Sequence, residues 1–100
     1  MQKNIYKGRI HTMKTKQGFM LRSVAGRHVV VAVGKASLDF NGLITLNDTG
    51  AFLWEQLSKG CTYDELLSAM LETYEVDEAT AREGIDSFLE TARGADLIEE

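Results

Sequence analysis

Residues 43–57 read LITLNDTGAFLWEQL. Leu43 to Leu46 are apolar or β-branched, as a short strand requires. Asn47 suits a helix N-cap, because its side-chain oxygen can accept a hydrogen bond from a free N–H of the first turn. Asp48 sets a negative charge at the positive end of the helix dipole. Thr49, Gly50 and Ala51 are short and allow close packing where the chain turns. Leu53, Trp54 and Leu57 then share one helical face, and Gly60 follows as a stop. A strand here runs straight into a helix, and nothing in the stretch can do chemistry. Trp54, the chain's single tryptophan, is expected in the core beneath a sheet.

Helical patterns continue toward the C-terminus. Thr62 with Glu65 three residues on forms a capping box, and Leu66, Leu67, Met70, Leu71 and Tyr74 repeat at helical spacing. Asp77 caps a third helix whose apolar face is Ala81, Ile85, Phe88, Leu89 and Ala92, with Gly94 as its end. Leu97 and Ile98 are expected to fold back on the core.

Toward the N-terminus the pattern is β. FMLRSV (19–24) and HVVVAV (28–33) bracket an AGR turn in which Gly26 can take a positive φ, and the pair reads as a hairpin. Residues 34–42 read as a loop, and residues 1–16 lack periodicity and read as a flexible arm ahead of a domain spanning 17–100. The order is three strands and then three helices. That order specifies an α+β, winged-helix-like fold with a small three-stranded antiparallel sheet packed on three helices.

Charge divides the chain in the same place. Residues 1–46 hold eight Lys or Arg and one acid, a net of +7, whereas residues 47–100 hold three basic residues and fourteen acids, a net of −11. One cysteine excludes an internal disulfide. No signal-like or membrane-length apolar stretch is visible, so a cytoplasmic protein that does not engage a membrane is expected.

Catalytic and metal constellations are missing from the pattern. Cys61 lies near a helix N-terminus, which can lower a thiol pKa, but neither His11 nor His28 has an evident route to it as a base. One cysteine and two histidines at unrelated spacings match no zinc pattern, and no glycine run has phosphate-loop spacing. No cofactor, metal or enzymatic activity is expected. Two binding functions stay open. A winged-helix DNA-binding regulator is one, although the stretch Asp77 to Arg93 carries five acids against two arginines, a charge that repels phosphate. The other is a module that captures an extended peptide on a free sheet edge.

DFNGLITLNDTGAFLWEQL (39–57) and GCTYDELLSAMLETYEVDEATAREGIDSFLETARGADLIE (60–99) together resemble the coenzyme PQQ synthesis protein D (PqqD) family. The likeness is carried by LNDTGAFLW, the T-x-x-E-L opening of the second helix, the Y-x-V-D junction before the third, and the closing G-x-x-L. The hairpin at 18–34 is also similar. The resemblance implies a non-catalytic RiPP recognition element. Such a module binds the leader of a ribosomally made precursor peptide and presents it to a radical-SAM or other peptide-modifying enzyme, in PQQ-type or other RiPP biosynthesis. Its partners would be that peptide and that enzyme, with no nucleic acid. It further implies that the leader adds as a strand beside Leu43, Ile44 and Thr45 and packs against the third helix, with Arg82, Ile85, Asp86 and Leu89 as the expected helix residues. The acids of that helix, Glu83 and Asp86 among them, would then form an electrostatic wall favouring leaders with Lys or Arg.

Overall fold

The β-branched run HVVVA nucleates the first half of the molecule. In the computed structural model, which describes residues 12–39 and 43–100, it forms strand β3 (Arg27–Ala32), the centre of an antiparallel sheet. Strand β2 (Phe19–Val24) pairs with it from Phe19↔Ala32 to Val24↔Arg27. Strand β4 (Leu43–Leu46) pairs on the other side, from His28↔Leu46 to Val31↔Leu43. The β2–β3 turn needs only Ala25 and Gly26, at φ 52° and 78°. Two positive φ angles in succession define the type I′ turn, whose twist matches the flanking strands. Glycine takes such a φ at no cost, but alanine does not.

Residues 34–42 are more than a loop, because Ala36–Asp39 form a short helix, α1. The chain then follows the path expected from its central stretch. β4 passes through Asn47 into helix α2 (Asp48–Ser58), and the Asn47 side chain accepts a hydrogen bond from the Gly50 N–H at 2.8 Å. A Cβ at Gly50 would lie 3.0 Å from Asn47 Oδ1 and 3.3 Å from Leu46 Cβ, so the turn has little room for a larger residue. Gly60, at φ 82°, ends α2 after Lys59. Thr62 and Glu65 complete the capping box of helix α3 (Tyr63–Thr73) through bonds of 3.2 and 2.8 Å. Asp77 accepts from the Thr80 N–H at 2.8 Å and starts helix α4 (Glu78–Gly94). Hydrogen bonding from the Thr80 side chain, and then from its backbone N–H, lowers the Asp77 pKa. Gly94 does not supply the reversal after α4. The helix ends at Ala95, and the positive φ falls on Asp96 at 61°.

The arm expected over residues 1–16 does not extend through residues 12–15, which form strand β1 (Thr12–Thr15). His11 and the residues before it lie outside the described residues. β1 is held from both sides. It pairs with β5 (Cys61–Thr62) through Thr12↔Thr62 and Met13↔Cys61, and with β6 (Ile98–Glu99) through Lys14↔Glu99 and Thr15↔Ile98. Met13 is almost fully buried, and a Lys16–Asp96 ion pair at 2.6 Å sits beyond the strand's end. The fold is therefore α+β with two three-stranded antiparallel sheets, and the second of them clasps the helical unit. Trp54 lies in the core with Val30, Leu53, Leu57, Leu66, Met70, Ile85, Leu89 and Leu97. Leu97 and Ile98 fold back as expected, both buried. No helix among the described residues is long and apolar enough to cross a membrane.

Candidate peptide-binding groove

β4 lies at one end of the sheet order β2-β3-β4, and among the described residues no strand pairs with its other side. The backbone groups that point that way are ready to pair with an added chain. Beside this edge runs a groove bounded by β4, the start of α2 and one side of α4. Its walls are Thr45, Leu46, Asn47, Thr49 and Gly50 on one side and Gly84, Ser87, Phe88 and Thr91 on the other, enclosing about 230 Å³. The α4 residues follow the i, i+3, i+4, i+7 spacing of a single helix face. Below the groove a small apolar pocket is lined by Val30, Ile44, Leu46, Trp54 and Phe88 among others, so Trp54 supports the floor.

The wall carries hydroxyl and amide groups, two glycines and two apolar side chains, and no charged residue. The acids of α4 are directed elsewhere. Asp86 accepts a hydrogen bond from the Tyr63 hydroxyl at 2.7 Å, Arg82 pairs with Glu78 at 2.9 Å, and the Arg82 guanidinium lies 5.7 Å from the centre of the Tyr63 ring. His28 Nε2 and Asp48 Oδ1 lie 2.8 Å apart, within hydrogen-bond distance, at the first turn of α2.

The seven residues expected at a binding surface therefore divide. Thr45 lines the groove, Ile44 is half-buried with its side chain packed against the core, and Leu43 is exposed. Arg82 and Asp86 face the start of α3. Ile85 and Leu89 are 0% and 2% exposed and belong to the core. The helix side of the groove is instead Gly84, Ser87, Phe88 and Thr91. A signal for it is present in the chain: Gly84, Ser87 and Thr91 form a stripe of small residues beside the apolar stripe that contains Phe88.

The setting of Cys61 disfavours its thiolate. It is buried, and burial, followed by the nearby Glu65 carboxylate, raises its pKa above 9.0. A helix N-terminus favours the thiolate, but here desolvation and a like charge outweigh that pull. Among the described residues no group of three or more His, Cys, Asp or Glu is placed to hold a metal ion.

A small winged-helix-like α+β domain with an open edge strand beside its last long helix is the class that this geometry defines. Within that class the chain belongs to the PqqD family, since the family model described as coenzyme PQQ synthesis protein D matches residues 27–98. No curated protein matches the chain. Among solved structures it is similar to TbiB1, determined in complex with the TbiA(beta) leader peptide, with a TM-score of 0.67 and 20% identity over 86% of this chain and 94% of that one. At that identity the likeness concerns the fold.

Proposed function

We propose that this chain is a non-catalytic peptide-binding module. It captures the leader of a ribosomally made precursor peptide and presents it to a modifying enzyme, a radical-SAM protein or another peptide-modifying enzyme, in PQQ-type or other RiPP biosynthesis. The observation that carries the reading is the unpaired edge of β4 beside an uncharged groove. An extended peptide would gain main-chain hydrogen bonds from the edge, while its alternate side chains meet Leu46, Phe88 and the hydroxyls of Ser87 and Thr91. Family membership and the leader peptide bound to the similarly folded TbiB1 support the same reading. No observation favours the DNA-binding alternative, and α4 carries Glu78, Glu83, Asp86 and Glu90 against Arg82 and Arg93.

Amide-shift mapping with a synthetic candidate leader peptide tests this function. The expected shifts concentrate at residues 43–47 and 84–91, with slowed amide exchange in β4. Shifts confined to α2 and α3, with none at 43–47, would refute it.

A further inference from the structure

A captured leader uses the edge of the β2-β3-β4 sheet but not its outer face. Side chains alternate along strands, and Phe19, Leu21, Val30, Ile44 and Leu46 pack inward. Met20, Val31 and Leu43 therefore share the opposite face, and the pairs Met20↔Val31 and Val31↔Leu43 set them in one row across all three strands. Met20 is 46% exposed and Leu43 57%, and Val24, on the same face near the hairpin, is 54% exposed. Val29, on the same face, is 5% exposed, so the open apolar part is the row Met20, Val31 and Leu43 with Val24; a contiguous apolar patch of this kind suits an interaction surface. Arg22 and Arg27, both exposed, alternate onto this face as well, and none of the three strands contains an Asp or Glu.

We infer that this face docks the peptide-modifying enzyme, and that the enzyme presents an apolar patch ringed by carboxylates. The inference rests on the proposed function and names the partner's surface. Three arguments select this occupant. An apolar centre flanked by Arg22 and Arg27 is complemented by an acidic rim. The face is also continuous with the peptide edge. Leu43 lies on β4, so an added leader strand extends the same surface, and a protein seated there touches module and leader together. Finally, a second copy applied face to face fits poorly, because it opposes arginine with arginine. The face measures roughly 300 Å² from strand spacing and rise, below the roughly 800 Å² per partner of a standard interface. Enzyme affinity is therefore low for the free module and higher once the leader enlarges the surface.

The test titrates purified candidate peptide-modifying enzymes into the full chain, with and without a synthetic candidate leader peptide. The wild type is compared with Met20→Glu and with the double variant Arg22→Glu/Arg27→Glu. Both changes lie on β2 and β3, away from the groove wall. The expected result is a loss of about tenfold or more in enzyme affinity for both. Leader affinity stays within about twofold, the melting curve is unchanged, and the wild type shows a leader-dependent gain in enzyme affinity. Unchanged enzyme affinity in both variants overturns the assignment. So does a wild-type dimer in sedimentation that Met20→Glu abolishes, which would make a second copy the occupant, or an RNA oligonucleotide bound more tightly than the enzyme and lost with the arginines. The leader titration is read separately. A wild type that bound no leader would overturn the proposed function, while the enzyme titrations would still decide the face.

Discussion

The Tyr63 hydroxyl donates a hydrogen bond to Asp86 Oδ1 at 2.7 Å, which ties the start of α3 to the middle of α4. Arg82, one turn before Asp86, completes the cluster over the Tyr63 ring. Arg82 and Asp86 of α4 thereby serve contact between helices, and no charged residue lines the candidate groove. An electrostatic wall of α4 acids, expected from charge pattern alone, is not part of the groove's lining.

The first prediction follows from that placement. Converting Glu83 and Asp86 to lysine should change affinity for a basic leader by less than about threefold at moderate salt, because exposed charges outside the groove are screened. Tyr63→Phe should cost about 0.5 kcal/mol in urea unfolding, the scale of one exposed hydrogen bond, without altering leader binding. Isothermal titration alongside unfolding separates the two effects. A large loss of leader affinity in the lysine variant would return the acids to the groove.

Two groups predict how stability depends on alkaline pH. Burial, aided by the hydrogen bond to Asp86, raises the Tyr63 pKa above 10.0. Burial, then Glu65, raises the Cys61 pKa above 9.0. In both cases the folded state holds its proton more tightly than the unfolded chain. The resulting stability is fully present below the unfolded values and is lost as pH rises through the raised folded ones. Stability contributed by these groups should therefore be level through neutral pH and fall above pH 9. Tyr63→Phe should flatten the upper part of that fall. At pH 8 a disulfide reagent should label Cys61 at least about tenfold more slowly in the native protein than in urea, since a buried thiol must first become exposed. Equal rates would contradict its burial.

Local signals made most of the fold legible. Asn47, Thr62 and Asp77 each act through a side-chain oxygen on an N–H three residues away, so the sequence marks the starts of α2, α3 and α4. Trp54 and the apolar faces of the helices follow from periodicity. β1 was not legible for a physical reason. TMKT has one large apolar residue, and its order comes from β5 and β6, which lie far along the chain. The site was only partly legible. The β4 strand follows from its apolar run and its use as the docking edge from the family resemblance, but the helix face does not follow. Ile85 and Leu89 satisfy an apolar pattern whether they meet a peptide or the core, and only packing places them inside. Gly84, Ser87 and Thr91 bury little surface and so leave no hydrophobic signature.

The hairpin turn provides a stability prediction independent of function. Ala25 holds φ 52°, a left-handed conformation that costs an alanine about 1 kcal/mol relative to glycine or asparagine. Ala25→Asn, giving the Asn-Gly pair favoured in this turn, should stabilise the chain by about 0.5–1 kcal/mol. For a domain of this size that raises Tm by roughly 2–8 °C. Calorimetry measures it, and a lower Tm would show that Ala25 makes contacts outweighing its backbone strain. Leader binding should be unaffected, since neither Ala25 nor Gly26 lines the groove.

Gly84 separates stability from recognition. It sits within α4, where glycine is about 1 kcal/mol less favourable than alanine. A Cβ there would meet only Met70 Cε, at 3.8 Å, an ordinary van der Waals distance. Gly84→Ala should therefore stabilise the fold by about 0.5–1 kcal/mol. A glycine kept at a helix position where alanine fits needs another reason, and the groove supplies one, because Gly84 forms part of its wall opposite β4. Gly84→Leu adds three more carbons in a space of about 230 Å³ and should obstruct the peptide. The expected pattern is a higher Tm and nearly unchanged leader affinity for alanine, and a loss of about tenfold or more in affinity for leucine, with Tm at or above wild type. Ser87→Leu, one turn further along the same wall, should reproduce the affinity loss without the helix-propensity gain, which guards against an effect confined to Met70. Leader binding that withstood both leucine substitutions in a protein still folded by circular dichroism would place the peptide outside this groove.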